Sequence, residues 1–212
     1  MKQKFFIDIH KGITILFVLF LMHILGQWDN TAGWIYCALH GSYGLMWVMK
    51  SRIFPDSSWE KKCSIWYGFY IWLGLSLYWL SPYIILSGCF NDGIPLQLSA
   101  QYIAVCVFVF NMGVFFHFSS DMQKYSYLKL RPNQLITEGM MKKCRNINYF
   151  GELLIYLGFG LLAKHWVPIL VLLLFIIVVW IPNIRKKEKS LSRYPNFNDY
   201  RKSSSFIIPF IY

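Results

Sequence analysis

Long apolar stretches constrain the fold of this chain more than any other feature of its sequence. Six of them lie near residues 12–27, 33–49, 64–88, 100–118, 149–163 and 166–183. A helix needs about 20 apolar residues to cross a bilayer, with roughly 17–25 tolerated, so the first two and the fifth are short. Only 15% of the residues are charged, against about 25% in a soluble domain. The sequence therefore predicts an all-α, polytopic membrane protein with about six transmembrane helices, forming a single domain over residues 1–212.

Two details of these stretches predict local shape. The third stretch contains Pro82, which lacks a backbone N–H and is expected to tilt or kink the helix. Only Lys164 and His165 separate the last two stretches. That spacing predicts a tight helical hairpin at the C-terminal end of the membrane domain.

The basic residues predict the orientation in the membrane. Of the 21 Lys and Arg residues, all but Lys164 fall in the termini or in the two large loops between spans two and three and spans four and five. The positive-inside rule then places both termini and these loops in the cytoplasm, with the chain in a bacterial inner membrane or the endoplasmic reticulum.

The net charge of +11 needs no nucleic-acid partner. Juxtamembrane Lys and Arg attract anionic lipid head groups, so membrane lipids are the expected partners. The five cysteines are scattered without a Cys-x-x-Cys pair, and no metal site is expected. Nothing in the sequence specifies an oligomeric state.

A polar stripe enters the fifth apolar stretch. At helical spacing Asn148, Glu152 and Tyr156 fall on one face, just after the basic Arg145. An ionised carboxylate buried in hydrocarbon is costly unless a partner or water accompanies it, so the stripe is a candidate functional site. The alternative is an ordinary helix N-terminus, where an acidic residue in the first turn is favourable.

Two further polar clusters are expected on the cytoplasmic side. His117, Asp121 and Lys124 share one helical face at the end of the fourth stretch, and the tail from Arg185 onward adds more cations and Tyr200. A pocket that draws on these clusters and the stripe suits a phosphate-bearing cofactor, whose ribose or amide groups could donate to the carboxylates. Alternatively, each basic run contacts only lipid phosphate.

The second apolar stretch carries an aromatic and protic stripe. Tyr36, His40, Tyr43 and Trp47 recur at helical spacing. Tyrosine and tryptophan often mark membrane interfaces, which is the simpler interpretation. His40 and Tyr43, however, are expected near mid-depth, where they could donate a proton to a lipophilic substrate or polarise its carbonyl. We therefore take Tyr43 and His40 as the candidate catalytic residues.

Several segments resemble the steroid 5-alpha-reductase family, above all the C-terminal domain of its small bacterial-type, DUF1295-like branch. The matching residues in the C-terminal part of the chain are Ser120-Asp121-Met122-Gln123-Lys124, Arg145-Asn146-Ile147-Asn148-Tyr149-Phe150-Gly151-Glu152, Phe197-Asn198-Asp199-Tyr200 and Ile208-Pro209-Phe210-Ile211-Tyr212. A weaker likeness to the family's substrate-side helix and basic loop runs from His40-Gly41-Ser42-Tyr43-Gly44 through Arg52-Ile53-Phe54-Pro55.

The resemblance implies a multi-helix membrane fold whose cytoplasmic loops clasp NADPH, with residues 119–212 carrying the cofactor-binding region. Such reductases transfer hydride to the carbon–carbon double bond of an enone in a lipophilic, sterol- or isoprenoid-like substrate. By resemblance, Asp121, Asn148 and Glu152 contact the cofactor, while Arg185 and Tyr200 line its phosphate or nicotinamide region. With the polar neighbours of these residues, the expected cofactor-binding set is His117, Asp121, Lys124, Arg145, Asn148, Tyr149, Glu152, Arg185 and Tyr200.

The chain departs from the reductase pattern on the substrate side. The reductases pair a helix-borne glutamate with a tyrosine to hold the enone carbonyl. Here the place of the tyrosine falls on His40 or Gly41, with Tyr43 one turn away, and the first stretch offers only His23 and Gln27 in place of a glutamate. The resemblance therefore does not carry over a steroid-specific substrate site.

Two other functions stay open at the level of sequence. Isoprenylcysteine carboxyl methyltransferases, which use S-adenosylmethionine, belong to the same superfamily and carry Arg-His-Pro and a Glu-Glu pair. This chain has Asn146-Ile147 in place of His-Pro, and a lone Glu188 flanked by lysines, which speaks against a methyltransferase. A non-catalytic membrane lipid-binding protein is the third possibility, and it would fit the missing glutamate.

Overall fold

Helices build the described part of the chain, residues 1–211, in the computed structural model of this protein. In chain order they are α1 (Gln3–Ile24), α2 (Thr31–Ile53), α3 (Ile65–Ser76), α4 (Leu80–Ser87), α5 (Ala100–Leu130), α6 (Ile147–Leu161), α7 (Trp166–Phe175), α8 (Ile181–Leu191) and α9 (Phe197–Ser203). Short 3-10 turns lie at Leu77–Trp79 and Gly139–Met141, and a π turn at Ile176–Trp180. The all-α prediction is confirmed, and Tyr212, part of the resemblance above, lies outside the described residues.

Four helical segments are long and apolar enough to cross a membrane. They are Gln3–Ile24, Ile65–Ser87, Ala100–Leu130 and Trp166–Leu191. Of the two other helices in predicted spans, α2 has 23 residues and α6 has 15. The membrane class of the protein is thereby supported, while the count of about six spans and the side on which the termini lie stay predictions.

The helices form two compact units. Unit 1 comprises Met1–Phe110 and Leu157–Val171, and unit 2 comprises Asn111–Tyr156 and Leu172–Tyr212. Helices α5, α6 and α7 contribute residues to both units. The expectation of one domain over residues 1–212 stays a prediction.

In unit 1, α1 and α2 approach each other closely because glycines line their contact. A Cβ atom at Gly44 would lie 2.1 Å from the backbone oxygen of Lys11, and one at Gly41 would lie 3.1 Å from Cβ of Ile15. Asn30 caps α2 by accepting a hydrogen bond from the backbone N–H of Gly33 at 2.9 Å. The close approach brings side chains of the two helices into direct polar contact.

A 3-10 turn precedes Pro82 in the helical segment of the third apolar stretch, while the tilt or kink expected there stays a prediction. A 3-10 turn at Leu77–Trp79 separates α3 from α4. Proline has no N–H to offer the carbonyl of Tyr78, four residues earlier. That carbonyl instead accepts a hydrogen bond from the Tyr36 hydroxyl of α2, at 3.1 Å.

In unit 2, α5 and α6 also meet through glycines. A Cβ atom at Gly151 would lie 2.3 Å from the backbone nitrogen of His117, and one at Gly113 would lie 2.6 Å from the backbone nitrogen of Ile155.

The chain reverses between α6 and α7 within residues 162–165, where Lys164 adopts a φ of 46°. This is the turn that the spacing of the last two apolar stretches predicted.

Candidate functional site

A hydrogen bond between two buried side chains joins α1 to α2 in unit 1. Nζ of Lys11 donates to the Tyr43 hydroxyl at 2.9 Å, and the two residues are 4% and 0% exposed. The same Nζ lies 4.1 Å from the ring centroid of Tyr43 and 4.2 Å from that of Trp47. An ammonium group is thus held inside the protein by a phenol oxygen and two aromatic faces.

Lys11 is a residue that the sequence reasoning missed. The first stretch was predicted to begin at residue 12, which placed Lys11 in the cytoplasmic segment before the span. Helix α1 begins at Gln3 instead, so Lys11 lies inside it. Phe5, Phe6 and Ile7 extend the apolar pattern towards the N-terminus, and they were the signal that could have found it.

His40, the other predicted catalytic residue, is engaged within the same unit. Its Nδ1 lies 2.8 Å from the Tyr36 hydroxyl, and its ring stacks on Phe159 with centroids 4.2 Å apart. Tyr36 donates its own proton to the carbonyl of Tyr78, because a carbonyl can only accept. The Nδ1 of His40 is then the donor towards Tyr36, so this proton is used inside the protein.

Polar side chains of α5 and α6 meet in unit 2. Nδ1 of His117 donates to the backbone oxygen of Asn148 at 3.1 Å, and Nε2 lies 3.8 Å from a carboxylate oxygen of Asp121. His117 and Asp121 are 2% and 6% exposed. The side-chain oxygen of Asn148 is buried and accepts no hydrogen bond from residues 1–211. Two of the predicted clusters therefore come together, and the side-chain oxygen of Asn148 is left as a buried acceptor that a ligand could use.

Arg145 holds the C-terminal tail. Its Nε lies 3.3 Å from both carboxylate oxygens of Glu188, and Nη1 donates to the backbone oxygens of Arg201, at 3.0 Å, and Ser204. The residue is 6% exposed. Its predicted contact with a cofactor stays a prediction, while its observed contacts fix α8 and the residues after α9.

Asn146 and Lys187 add to this tail contact, and sequence reasoning missed both. Nζ of Lys187 donates to the backbone oxygen of Arg145 and to the side-chain oxygen of Asn146, each at 2.9 Å. The side-chain nitrogen of Asn146 donates to the backbone oxygen of Phe206 at 2.9 Å. Lys187 stands in a run of basic residues, and nothing in that run distinguishes it from its neighbours.

The other predicted cofactor residues differ in exposure. The Tyr200 hydroxyl donates to the backbone oxygen of Met141 at 2.6 Å, and burial raises the pKa of this phenol. The Tyr149 ring packs against Trp180 with centroids 5.8 Å apart. Lys124 and Glu152 are half-buried. Arg185, on α8, is exposed and makes no hydrogen bond or ion pair with the described residues.

Comparison with known families identifies the family to which this chain belongs. The family model described as "Protein of unknown function (DUF1295)" matches residues 2–204. The chain belongs to the DUF1295 family. A comparison with curated proteins gives no match. The match extends through α1 and α2, so it covers the buried Lys11–Tyr43 contact as well as the polar cluster of unit 2.

The predicted site residues of this DUF1295 protein thus fall into two groups. Tyr43 and His40 belong to unit 1, in a buried aromatic environment where a phenol meets an ammonium. The nine predicted cofactor-binding residues belong to unit 2. The first group can donate protons, and the second offers cations and hydrogen-bond acceptors to an anionic, hydroxyl-bearing ligand.

Proposed function

We propose that this DUF1295 protein is a membrane-embedded reductase that adds hydride from NADPH to the carbon–carbon double bond of a lipophilic enone, such as a sterol- or isoprenoid-like lipid. The observation that carries the proposal is the buried side-chain oxygen of Asn148, which has no hydrogen-bond partner in residues 1–211. Buried acceptors are nearly always paired, so an unpaired one points to a ligand that donates. The amide and ribose hydroxyls of a nicotinamide nucleotide are such donors.

The other predicted cofactor-binding residues suit the rest of the cofactor. Arg185 is an exposed guanidinium that makes no ion pair within residues 1–211, and guanidinium groups bind phosphate in a two-point geometry. Asp121 and Glu152 are the carboxylates that would accept from ribose hydroxyls. Arg145 and Tyr200 would support this site by holding the tail in place. Bound NADPH would supply a hydride for the enone.

Unit 1 offers the proton that the reaction requires. Hydride addition to an enone builds negative charge on the substrate's carbonyl oxygen, which needs a hydrogen-bond donor in a dry site. Tyr43 is fully buried, and its phenol oxygen accepts a hydrogen bond from the Lys11 ammonium, which favours release of the phenol proton. The Nδ1 proton of His40 is directed to Tyr36. We therefore assign the donor role to Tyr43 and a packing role beside it to His40.

The orientation in the membrane is part of the proposal. Six crossings with both termini in the cytoplasm would place every Lys and Arg residue except Lys164 and the buried Lys11 of α1 on the cytoplasmic side. In a cysteine-accessibility experiment on sealed vesicles, a cysteine at position 164 should react from outside and one at position 143 from inside. Labelling of both positions from the same side would exclude this topology.

Calorimetry on the detergent-solubilised protein tests the cofactor. Wild type is expected to bind NADPH, and Asn148→Leu, which removes the acceptor at similar size, to bind it about 10–100-fold more weakly. Asn111→Leu is the control, since Asn111 is exposed on α5 of the same unit. Binding of S-adenosylmethionine in place of NADPH would indicate a methyltransferase. If the protein binds neither molecule, the result would favour a lipid-binding protein.

Turnover with an enone tests the donor. Loss of one oxyanion-stabilising donor typically lowers the rate by about 10²–10³-fold, so Tyr43→Phe should reduce turnover by this factor. Its affinity for NADPH should match that of wild type. If Tyr43→Phe turns over the enone as fast as wild type does, the aromatic stripe of α2 serves only packing.

A further inference from the structure

We infer that Lys11 is a positioning residue for proton transfer, whose ammonium group binds the Tyr43 oxygen and stabilises the negative charge that Tyr43 acquires when its proton moves to the substrate. The inference rests on the proposed reductase function and deepens it. It assigns a cation to α1, the helix in which the sequence offers only His23 and Gln27 in place of a glutamate.

The position of Lys11 is costly without such a role. A charged side chain inside a membrane-crossing helix is unfavourable, and a lysine near a helix end normally extends its amine to the surface. Lys11 lies within Gln3–Ile24, one of the four segments able to cross the membrane, yet it is only 4% exposed. Its amine turns inward to Tyr43, so the chain bears the cost of burying it.

A second buried lysine shows that burial alone is not the distinguishing feature. Lys50 is 5% exposed, and its Nζ lies 4.6 Å from the ring centroid of Trp47. It stands in the last turn of α2, where a cation is favoured, and lines a small cavity together with Asp8 and Asp56. Lys50 thus has carboxylates nearby and a helix end to stabilise it, and what distinguishes Lys11 is its hydrogen bond to a phenol.

The backbone holds Lys11 opposite Tyr43. Because a Cβ at Gly44 would lie 2.1 Å from the carbonyl oxygen of Lys11, the backbones of α1 and α2 are in contact at the residue next to Tyr43. His10, the buried ionisable residue next to Lys11 in the sequence, points elsewhere: its Nε2 lies 3.2 Å from the Ser76 hydroxyl and its ring stacks on Trp79. The Lys11–Tyr43 pair is therefore a distinct contact.

The pair can complete the proton balance of the reaction. When the β-carbon of the enone gains hydride, the π electron pair of the double bond shifts towards the carbonyl oxygen. The O–H bond of Tyr43 then breaks, and its proton passes to that oxygen, giving an enol that returns to the ketone with a proton on the α-carbon. The phenolate left behind accepts a charge-assisted hydrogen bond from Lys11 and regains a proton from water.

Binding of an enolate mimic to the cofactor-free protein tests the inference without turnover. The probe is 4-nitrophenol, whose planar anion resembles the enolate and has its own absorbance, and its neutral match is 4-nitroanisole. In Lys11→Met the anion should bind at least about tenfold more weakly, because a charge-assisted hydrogen-bond system is lost. The affinity for 4-nitroanisole should stay within about twofold of wild type.

Three further variants sharpen this result. Lys11→Arg keeps a cation and should restore most of the affinity for the anion, whereas Tyr43→Phe should lose it as Lys11→Met does. Lys50→Met is the matched control and should bind both probes like wild type. An unchanged anion affinity in a folded Lys11→Met, or an equal loss in Lys50→Met, overturns the inference. If Lys11→Met does not fold, unchanged anion binding by Tyr43→Phe overturns it.

Turnover separates this inference from the proposed function. With NADPH and β-ionone, an isoprenoid enone, Lys11→Met should lower kcat by about tenfold or more at unchanged KM. The double variant with Tyr43→Phe should be no slower than Tyr43→Phe alone, because Lys11 acts through Tyr43. If wild type neither binds NADPH nor reduces an enone, the reductase proposal fails, and the 4-nitrophenol measurement still decides the role of Lys11.

Discussion

Two buried cations, Lys11 in unit 1 and Arg145 in unit 2, are held in opposite ways. Arg145 binds a carboxylate, Glu188, and its guanidinium also donates to the backbone of the tail. Lys11 donates to a neutral phenol and lies over two aromatic faces. Their exposed fractions, 6% and 4%, are nearly the same.

The contrast shows that the partner of a buried charge indicates its role better than burial does. A cation paired with a carboxylate and backbone oxygens is electrostatically satisfied, and removing it leaves an uncompensated charge. A cation bound to a phenol stands next to a group that can itself become negative. We therefore propose a structural role for Arg145 and a chemical role for Lys11. The predictions below compare the stability that Arg145, the α1–α2 contact and more exposed groups contribute.

The largest effect is expected at Arg145. Breaking a buried pair by removing one partner costs about 3–5 kcal/mol, so Arg145→Met should lower the free energy of unfolding by this amount. Arg131→Met is the control, because the Arg131–Glu138 pair has side chains 55% and 59% exposed and should contribute about 0–1 kcal/mol. Denaturant unfolding in detergent measures both, and equal losses would remove the structural assignment of Arg145.

A smaller effect is expected at the α1–α2 contact. Ala at Gly44 would place its Cβ 2.1 Å from the Lys11 carbonyl oxygen, so the helices must separate at a cost of about 1–3 kcal/mol. At Gly12 the nearest atom to a new Cβ is Cγ2 of Val48, at 3.6 Å, an ordinary contact. Gly12→Ala should therefore be neutral, or stabilising by up to about 1 kcal/mol through its helix propensity. Thermal unfolding of the two variants should move in opposite directions or differ clearly in size.

The sequence predicts helices well where polar residues clearly bound an apolar stretch, and poorly where tertiary contacts extend a helix beyond it. The turn before Trp166 follows from local residue chemistry. Phe5, Phe6 and Ile7 indicate that α1 begins before residue 12, but its start at Gln3 also depends on tertiary contacts. Gln3 N–H donates to the Lys61 oxygen at 2.9 Å and Lys4 N–H to the Trp59 oxygen at 3.0 Å.

The same limit applies to the candidate site. Periodicity alone brought His117 and Asp121 to one face and pointed to Tyr43. It could not pair Tyr43 with Lys11, 32 residues away, or Lys187 with the backbone of Arg145, 42 residues away. Such pairs depend on how helices pack, and a single sequence records no packing.

Tyr200 should contribute less than Arg145 to the same tail. Its hydroxyl donates to the backbone oxygen of Met141, and the ring packs with Leu135 and Phe197. Tyr200→Phe keeps the ring and removes one hydrogen bond, so the expected loss in the free energy of unfolding is about 0.5–1.5 kcal/mol. The Tyr194 hydroxyl accepts an exposed hydrogen bond from Arg193, so Tyr194→Phe should change stability less. A larger loss in Tyr194→Phe would contradict this account.

The smallest effect concerns an exposed ion pair, the opposite extreme from the two buried cations. Glu60, in the segment between α2 and α3, accepts hydrogen bonds from Lys2, at 2.6 Å, and from Lys4. These bonds lower the pKa of Glu60 below its ordinary value of 4.5. A lowered pKa in the folded state means that the ionised carboxylate stabilises the fold above pH 4.5 and that this contribution disappears as the pH falls through the folded-state pKa. Wild type should therefore melt slightly above Glu60→Gln at about pH 7, and the difference should vanish at about pH 3 and shrink in high salt, because exposed pairs are screened. A difference in melting temperature that is independent of pH would show that Glu60 stabilises this segment by packing and not by charge.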